Sequence, residues 1–293
     1  MYLKVWSLRH SIRKGDLERN SKIPEPSGVV SYRNLSYTRG MGKGHLLDVH
    51  RPEKLAGPLP TLVVIHGGGW CYGDKEIYHL YAKDLARRGF AVICFNYILA
   101  PRKKFPYLLT ALDDVLFWTK NNAKKYGFDV NNVFLVGDSA GANTAVQYEA
   151  AQHNSDYAHY FDLKFPLLIK GLGLNCGTYC RLGTSYKEEN ENFIWPVYLG
   201  KHFNLQDPRY DVVGAIRPGF PACYILTGEK DFIKDQNPIL TAALDKEKIS
   251  YVFKEYHSKE GNKLQHVFHC IVNEENAVKA NDDECAYFRT LMK

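Results

Sequence analysis

Short, nearly continuous apolar runs separated by helical stretches constrain this chain more than any other feature. Thr61-Leu-Val-Val-Ile65, Phe90–Phe95 and Val133–Val136 lack the alternation of a half-exposed strand, as expected of strands covered on both faces. Leu167–Leu174, Ala222–Thr227 and Ser250–Tyr256 extend the series. Between them Ile77–Arg87, with Leu80, Tyr81 and Leu85 on one face, and Leu108–Tyr126 read as helices, and Asn276–Met292 closes the chain as an amphipathic one. The alternation predicts an α/β fold, with a mostly parallel central sheet and helices on both faces. In such sheets the site lies beyond the carboxyl ends of the strands. Upstream, residues 1–20 predict a short helix, broken by Ser21 to Gly28, and Val29–Thr38 and His45–Val49 a hairpin around Gly40–Gly44.

The run at Val133 leads directly into Gly137-Asp138-Ser139-Ala140-Gly141. A serine hydroxyl is a weak nucleophile until a base activates it. A sharp strand-to-helix turn would lift that hydroxyl off the sheet edge, with glycines on either side because side chains there would collide. The N–H of Ala140 would face the oxygen that becomes negative on attack. An incidental serine in a plain turn would show the same five residues, so the partners decide.

Three loops at strand ends offer them. His66-Gly67-Gly68-Gly69-Trp70 follows the first buried run, and three glycines let the backbone approach a ligand and present N–H groups to a developing oxyanion. Thr227-Gly228-Glu229-Lys230-Asp231 follows the run at Ala222 and offers an acid to orient a histidine; Glu229 and Asp235 are rivals to Asp231. Gln265-His266-Val267-Phe268-His269 follows the last strand, where His266 competes with His269 and with His257 at the strand end itself. A metal pair at His266 and His269 lacks a nearby carboxylate–histidine helix motif.

Composition excludes several other classes. With 293 residues, 45% hydrophobic and 24% charged, the chain has material for one large domain or two small ones. Its 38 basic and 32 acidic residues give a net charge of +6, but they are scattered, so no nucleic-acid surface is expected. No segment approaches a membrane span and the first twenty residues have no apolar signal core, so no membrane association is expected. The seven cysteines, at 71, 94, 176, 180, 223, 270 and 285, have no framework spacing. Cys176 and Cys180 lack a second pair to complete a zinc site, and a reducing cytoplasm is the expected location.

In these motifs the sequence resembles the α/β-hydrolase superfamily, and within it the hormone-sensitive-lipase-like esterases. His66-Gly-Gly-Gly69, Gly137-Asp-Ser-Ala-Gly141, Asp231 and His266 match that family's motifs in order. Tyr97-Ile-Leu-Ala-Pro101 with Phe105-Pro106 resembles its Tyr-Arg-Leu-Ala-Pro…Phe-Pro segment. Leu47-Asp-Val-His-Arg-Pro52 and His66–Lys75 are similar to the small acetyl-esterase members, and the match runs over roughly residues 45 to 270. Three positions depart: Ile98 where the family has arginine, Arg102 where it often has glutamate, and Val267 where glycine usually follows the catalytic histidine.

The resemblance implies a single α/β-hydrolase domain over residues 1–293, with a small lid from about 1–28 and 176–217. It implies Ser139 as nucleophile, His266 as base and then acid, Asp231 as orienting acid, and an oxyanion hole from the N–H groups of Gly67, Gly68 and Ala140. Trp70 and Tyr72 would place bulk beside the acyl group. The inserted segment carries Phe193, Trp195, Tyr198, Leu199 and Phe203, of which Trp195 and Tyr198 are expected to narrow the pocket. The expected activity is carboxylesterase hydrolysis of short acyl esters, with no metal and no organic cofactor implied. The expected partner is a small-molecule ester, with homodimerisation left open. An amide or formamide hydrolase with the same triad, and a non-catalytic small-molecule receptor on the same fold, are the alternatives; a peptidase would need a large extra domain.

Overall fold

A computed structural model describes residues 2–40, 42–179, 194–204, 206–259, 261 and 263–292. Cys180 and Phe193, singled out above, lie outside the described residues.

Eight strands form one sheet: β1 (Val29–Ser36), β2 (Leu46–Pro52), β3 (Leu59–Ile65), β4 (Ala91–Phe95), β5 (Phe128–Asp138), β6 (Ile169–Asn175), β7 (Ala222–Gly228) and β8 (Tyr251–Tyr256). Their spatial order is β1-β2-β4-β3-β5-β6-β7-β8. The β1–β2 and β2–β4 pairs are antiparallel, and every pair from β4 across to β8 is parallel. This is the mostly parallel sheet that the apolar runs predict. The reason is visible in burial. Every residue of β4 is buried, whereas edge strand β1 alternates between half-buried and exposed positions. A parallel strand covered on both faces has no solvent side on which to place polar residues.

Helices at 79–86, 107–121, 140–153 and 275–290 cover the two faces. The helix at 140–153 is wedged deepest, with twelve of its fourteen residues buried. On one face the core gathers Val63, Ile65, Leu112, Val115, Leu135 and Val146, and on the other Leu62, Val64, Leu85, Phe134 and Phe288. Alternate residues of the central strands feed the two cores, as the pleat requires.

The helix Asn237–Lys246 is not among the expected elements, and two expected elements differ in extent. The helix expected over Leu108–Tyr126 breaks at Asn122, giving Tyr107–Asn121 and Ala123–Tyr126. The Asn122 side-chain amide donates to the carbonyl of Trp118 at 2.9 Å, so it serves the helix end instead of continuing it. Strand β5 begins at Phe128, five residues before its apolar run. Its register against β3 jumps from Pro60↔Asp129 to Thr61↔Val133, and the carboxylate of Asp129 accepts the N–H of Asn131 at 3.0 Å. That irregular, polar stretch hides the early pairing from an apolar-run reading.

The N-terminal helix, Tyr2–Ser21, packs over the carboxyl-end side of the sheet. Among the described residues no helix is long and apolar enough to cross a membrane. Six described cysteines, Cys71, Cys94, Cys176, Cys223, Cys270 and Cys285, are buried free thiols.

Candidate active site

The turn after β5 forces Ser139 into φ 52°, ψ −116°, a conformation that an L-residue adopts at a cost of about 1–3 kcal/mol. Its neighbours make that conformation possible. A Cβ on Gly137 would strike the backbone of Gly141, and one on Gly141 would strike the carbonyl of Ile65. The N–H of Ser139 donates to the carbonyl of Asn175 at 3.0 Å, pinning the turn to the end of β6. Ala140 opens the helix, so its N–H has no carbonyl four residues back to serve.

On the loop after β7 and the loop after β8 stand the acid and the histidine. Nδ1 of His266 lies 2.8 Å from Oδ1 of Asp231. Asp231 accepts two further hydrogen bonds: Thr227 donates its hydroxyl to Oδ2 at 2.8 Å, and the N–H of Ile233 donates to Oδ1 at 3.1 Å. Burial pushes this carboxyl up, yet the hydrogen bond and charge of His266, with these two donors, hold it below its ordinary value. An isolated bridge between Lys230 and Gln265 ties the two loops together.

The rivals have other work. The Glu229 carboxylate accepts from Ser258 N–H and hydroxyl at 3.2 and 2.7 Å and from Lys263 N–H at 2.9 Å, bracing the loop before His266. Asp235 is exposed. His257 is largely exposed and faces Glu229 and Glu255. His269 is fully buried, edge-on to Tyr81, and burial depresses it to about 3, so it is a neutral core residue.

Ser139 and His266 open into one cavity of about 340 Å³, within the usual range for small-molecule sites. Gly68, Gly69 and Ala140 line it, and Gly67 does not. Of the N–H groups expected to form an oxyanion hole, that of Gly67 has partners within the fold. The N–H of Gly67 is engaged at 3.2 Å with Oδ1 of Asp138 and at 3.2 Å with the hydroxyl of Tyr78. Tyr78 in turn donates to Oδ2 of Asp138 at 2.7 Å. Asp138, buried beneath the turn and pushed up to about 6 by that burial despite these donors, therefore fastens the glycine loop to the serine loop. The backbone N–H groups of Gly68, Gly69 and Ala140 have no partner among the described residues. Gly68 at φ 102° and Gly69 at φ 57° need the left-handed freedom of glycine. His66 stacks on Tyr97 with centroids 4.2 Å apart, fixing the start of the loop.

Of the residues expected to shape a substrate pocket, Trp70, Tyr72 and Trp195 line this cavity and Tyr198 does not. Tyr198 lies buried behind Trp70, stacked nearly parallel to it with ring centroids 4.3 Å apart. It stiffens the wall without reaching substrate space, because the Trp70 ring covers it. Trp195 meets Trp70 at 5.0 Å, and Phe203 is half-buried away from the cavity.

The N-terminal helix contributes Leu8, Ile12, Asp16 and Arg19 to the wall. It is held by polar contacts. Arg9 donates to the carbonyls of Cys71 and Ala100 at 2.6 and 2.8 Å, Arg13 pairs with Asp74 at 2.5 Å, and the Tyr72 hydroxyl donates to Asp16 at 2.5 Å. The lid expected over about residues 1–28 includes this helix, but the sequence reading does not single out these residues as wall-forming, nor Gly69, Asp138, Ile194 and Phe232. Gly69 and Asp138 stand inside motifs already marked. Phe232, exposed and 4.5 Å from the His266 ring, follows Asp231 directly. The helix residues carry no local signal, because their partners are distant in the chain.

At Val267 the backbone has φ 56°, left-handed for a β-branched residue. The departure from glycine noted in the sequence therefore falls at a position whose conformation favours glycine.

Comparison with known proteins gives a consistent assignment. A family model described as alpha/beta hydrolase fold matches residues 62–270. The chain is 24% identical over 229 residues to a protein of Acanthamoeba polyphaga mimivirus assigned to the alpha/beta hydrolases, covering 76% of this chain and 63% of that one. It is 40% identical over 122 residues to the arylacetamide deacetylase of Oryctolagus cuniculus, covering 40% of this chain and 31% of that one. The chain thus spans less than two thirds of the length of these curated relatives. Among solved structures, esterase B of Lactobacillus rhamnosis superposes with a TM-score of 0.90 at 23% identity, covering 99% of this chain and 95% of that one.

Proposed function

The chain belongs to the alpha/beta hydrolase fold family, and from that premise we propose that it is a serine carboxylesterase that hydrolyses short-chain acyl esters. The observation that carries this reading is the 2.8 Å contact between Asp231 and Nδ1 of His266, with His266 and Ser139 walling the same cavity. A proton held on Nδ1 by Asp231 leaves the lone pair on Nε2 to act as base.

In this reading Ser139 Oγ attacks the ester carbonyl carbon while its proton passes to Nε2 of His266. The carbonyl oxygen becomes an oxyanion among the N–H groups of Gly68, Gly69 and Ala140, where each fixed donor contributes about 10²–10³ in rate. Asp231 stabilises the imidazolium. His266 then returns the proton to the alkoxide, the alcohol leaves, and an acyl-enzyme remains. Water repeats the sequence, giving up a proton to His266 and releasing the carboxylic acid, and Ser139 regains its proton.

The short-chain preference is supported by the wall of Trp70 and Trp195, stiffened by Tyr198 behind it. Each methylene that fits adds roughly 0.8 kcal/mol of burial, whereas forcing one into filled space costs about 1–3 kcal/mol. Efficiency is therefore expected to hold up to about four acyl carbons and then fall.

A serine-directed phosphonate should label Ser139 in the native chain, and Ser139→Ala should lose both the label and most turnover while remaining folded. Comparable ester turnover in folded Ser139→Ala removes the mechanism. A kcat/KM series from acetate to decanoate, run beside a matched amide, tests the substrate; undiminished efficiency at eight carbons removes the narrow pocket, and faster amide cleavage moves the reaction class.

A further inference from the structure

Directly behind the His266–Asp231 pair stands a group that the proposed reaction does not use. Cys176 follows β6 in a left-handed conformation, φ 49°, and its N–H donates to the carbonyl of Leu226 at 2.8 Å. Its thiol is 1% exposed. The N–H of Val267 donates to Cys176 Sγ at 3.3 Å, which ties the sulfur to the loop that carries the histidine. As a result Sγ of Cys176, a carboxylate oxygen of Asp231 and a ring nitrogen of His266 all lie within 4.8 Å of one another. It is the one group of three such donors among the described residues; the other described cysteines stand in none.

We propose that Cys176, Asp231 and His266 form a binding site for a thiophilic divalent cation, Zn²⁺ or Cd²⁺, and that its occupation stops turnover. One sulfur, one imidazole nitrogen and one carboxylate oxygen make a borderline-soft donor set that suits zinc and cadmium and disfavours magnesium or calcium. Metal–ligand bonds of about 2.0–2.3 Å place the donors of a tetrahedral site roughly 3.3–3.6 Å apart. Donors that already lie within 4.8 Å of one another reach that spacing by small side-chain rotations, and water takes the fourth position.

Protons account for the inhibition. As the sulfur–metal bond forms, the thiol proton leaves to solvent. Nδ1 of His266 gives up its proton to bind the metal, and Nε2 takes one up. Asp231 exchanges its hydrogen bond to the ring for a bond to the cation. The base then carries a hydrogen on the nitrogen that must accept one from Ser139, so attack stops. The cation is an inhibitor displaced by a stronger chelator, and the proposed hydrolysis needs none. The loss of turnover, though not the binding, rests on the role proposed for His266.

The test titrates the full chain with Zn²⁺, Cd²⁺, Mg²⁺ and Ca²⁺ and reads two signals: ester turnover, and the ultraviolet charge-transfer absorption of a cadmium–thiolate bond. Zn²⁺ and Cd²⁺ should inhibit, EDTA should restore activity, and Mg²⁺ and Ca²⁺ at the same concentrations should do neither. Losing a ligand should raise the half-inhibiting concentration by about tenfold or more, so Cys176→Ala, scored against its own metal-free rate, should resist Zn²⁺ and lose one equivalent of the absorption. Cys176→Ser, which keeps the volume but not the soft ligand, gives the same readings if the alanine variant folds poorly. Unchanged metal sensitivity and absorption in these variants overturns the site. A Cys176-dependent absorption without inhibition keeps the site and overturns the base role of His266.

Discussion

Ser139, Asp231 and His266 stand on loops that leave parallel strands of one sheet, whereas Leu8, Ile12, Asp16 and Arg19 reach the same cavity from a helix tied on by side chains. On the strand side, position follows from backbone ladders. Ile65 pairs with Gly137, Asp138 with Asn175, and Gly228 with Tyr256, so the loops that follow are launched from a fixed register. On the helix side, position follows from Arg9, Arg13, Asp16 and their distant partners. Hydrogen bonds of the first kind are cooperative across the sheet. Those of the second are separate contacts, each contributing about 1 kcal/mol or somewhat more. The molecule thus holds the three residues proposed to react on the rigid sheet and shapes the cavity with a separately attached helix.

If that division is right, the largest effects belong to the strand side. Asp231→Asn should lower kcat by about 10⁴-fold, as neutralising a triad aspartate does by favouring the wrong histidine tautomer. Asp235→Asn, four residues away and exposed, should change kcat little. Steady-state kinetics of the two variants rank them, and the reverse order would break the assignment.

A helix-side change should act differently and less. Arg9→Ala removes donors to the carbonyls of Cys71 and Ala100 and should raise KM by about 5- to 30-fold, the equivalent of about 1–2 kcal/mol of lost anchoring. Its kcat should stay within about threefold, because nothing that touches the reacting atoms moves. Limited proteolysis should cut the N-terminal helix sooner. A kcat loss as large as that of Asp231→Asn would erase the distinction between the two sides.

The smallest effect concerns stability. At Val267, Val267→Ala removes side-chain burial and keeps the left-handed strain, whereas Val267→Gly removes both. Ordinarily glycine is less stable than alanine by about 0.5–1 kcal/mol; at a left-handed position the order reverses by about 1 kcal/mol. Chemical denaturation should therefore find Val267→Gly more stable than Val267→Ala, and the usual order would show that this loop relaxes out of its strained conformation.

The apolar runs by themselves determined a parallel sheet, because only a strand covered on both faces tolerates so little polarity. The glycines around Ser139 and the order serine, aspartate, histidine marked the candidate reacting groups for the same kind of reason, since tight backbone geometry admits few residue types. Only the tertiary structure decided which glycine N–H groups are free. Asp138, 71 residues from Gly67, takes the first of them, and nothing in His-Gly-Gly-Gly distinguishes one N–H from the next. Tertiary contacts also put Tyr198 behind Trp70 and brought Arg9 within reach of Cys71 and Ala100, 62 and 91 residues away. Backbone conformation is set largely by neighbours along the chain and leaves its trace in residue type. A hydrogen-bond partner or a stacked ring is set by what packs across the fold, and a local pattern carries no record of it.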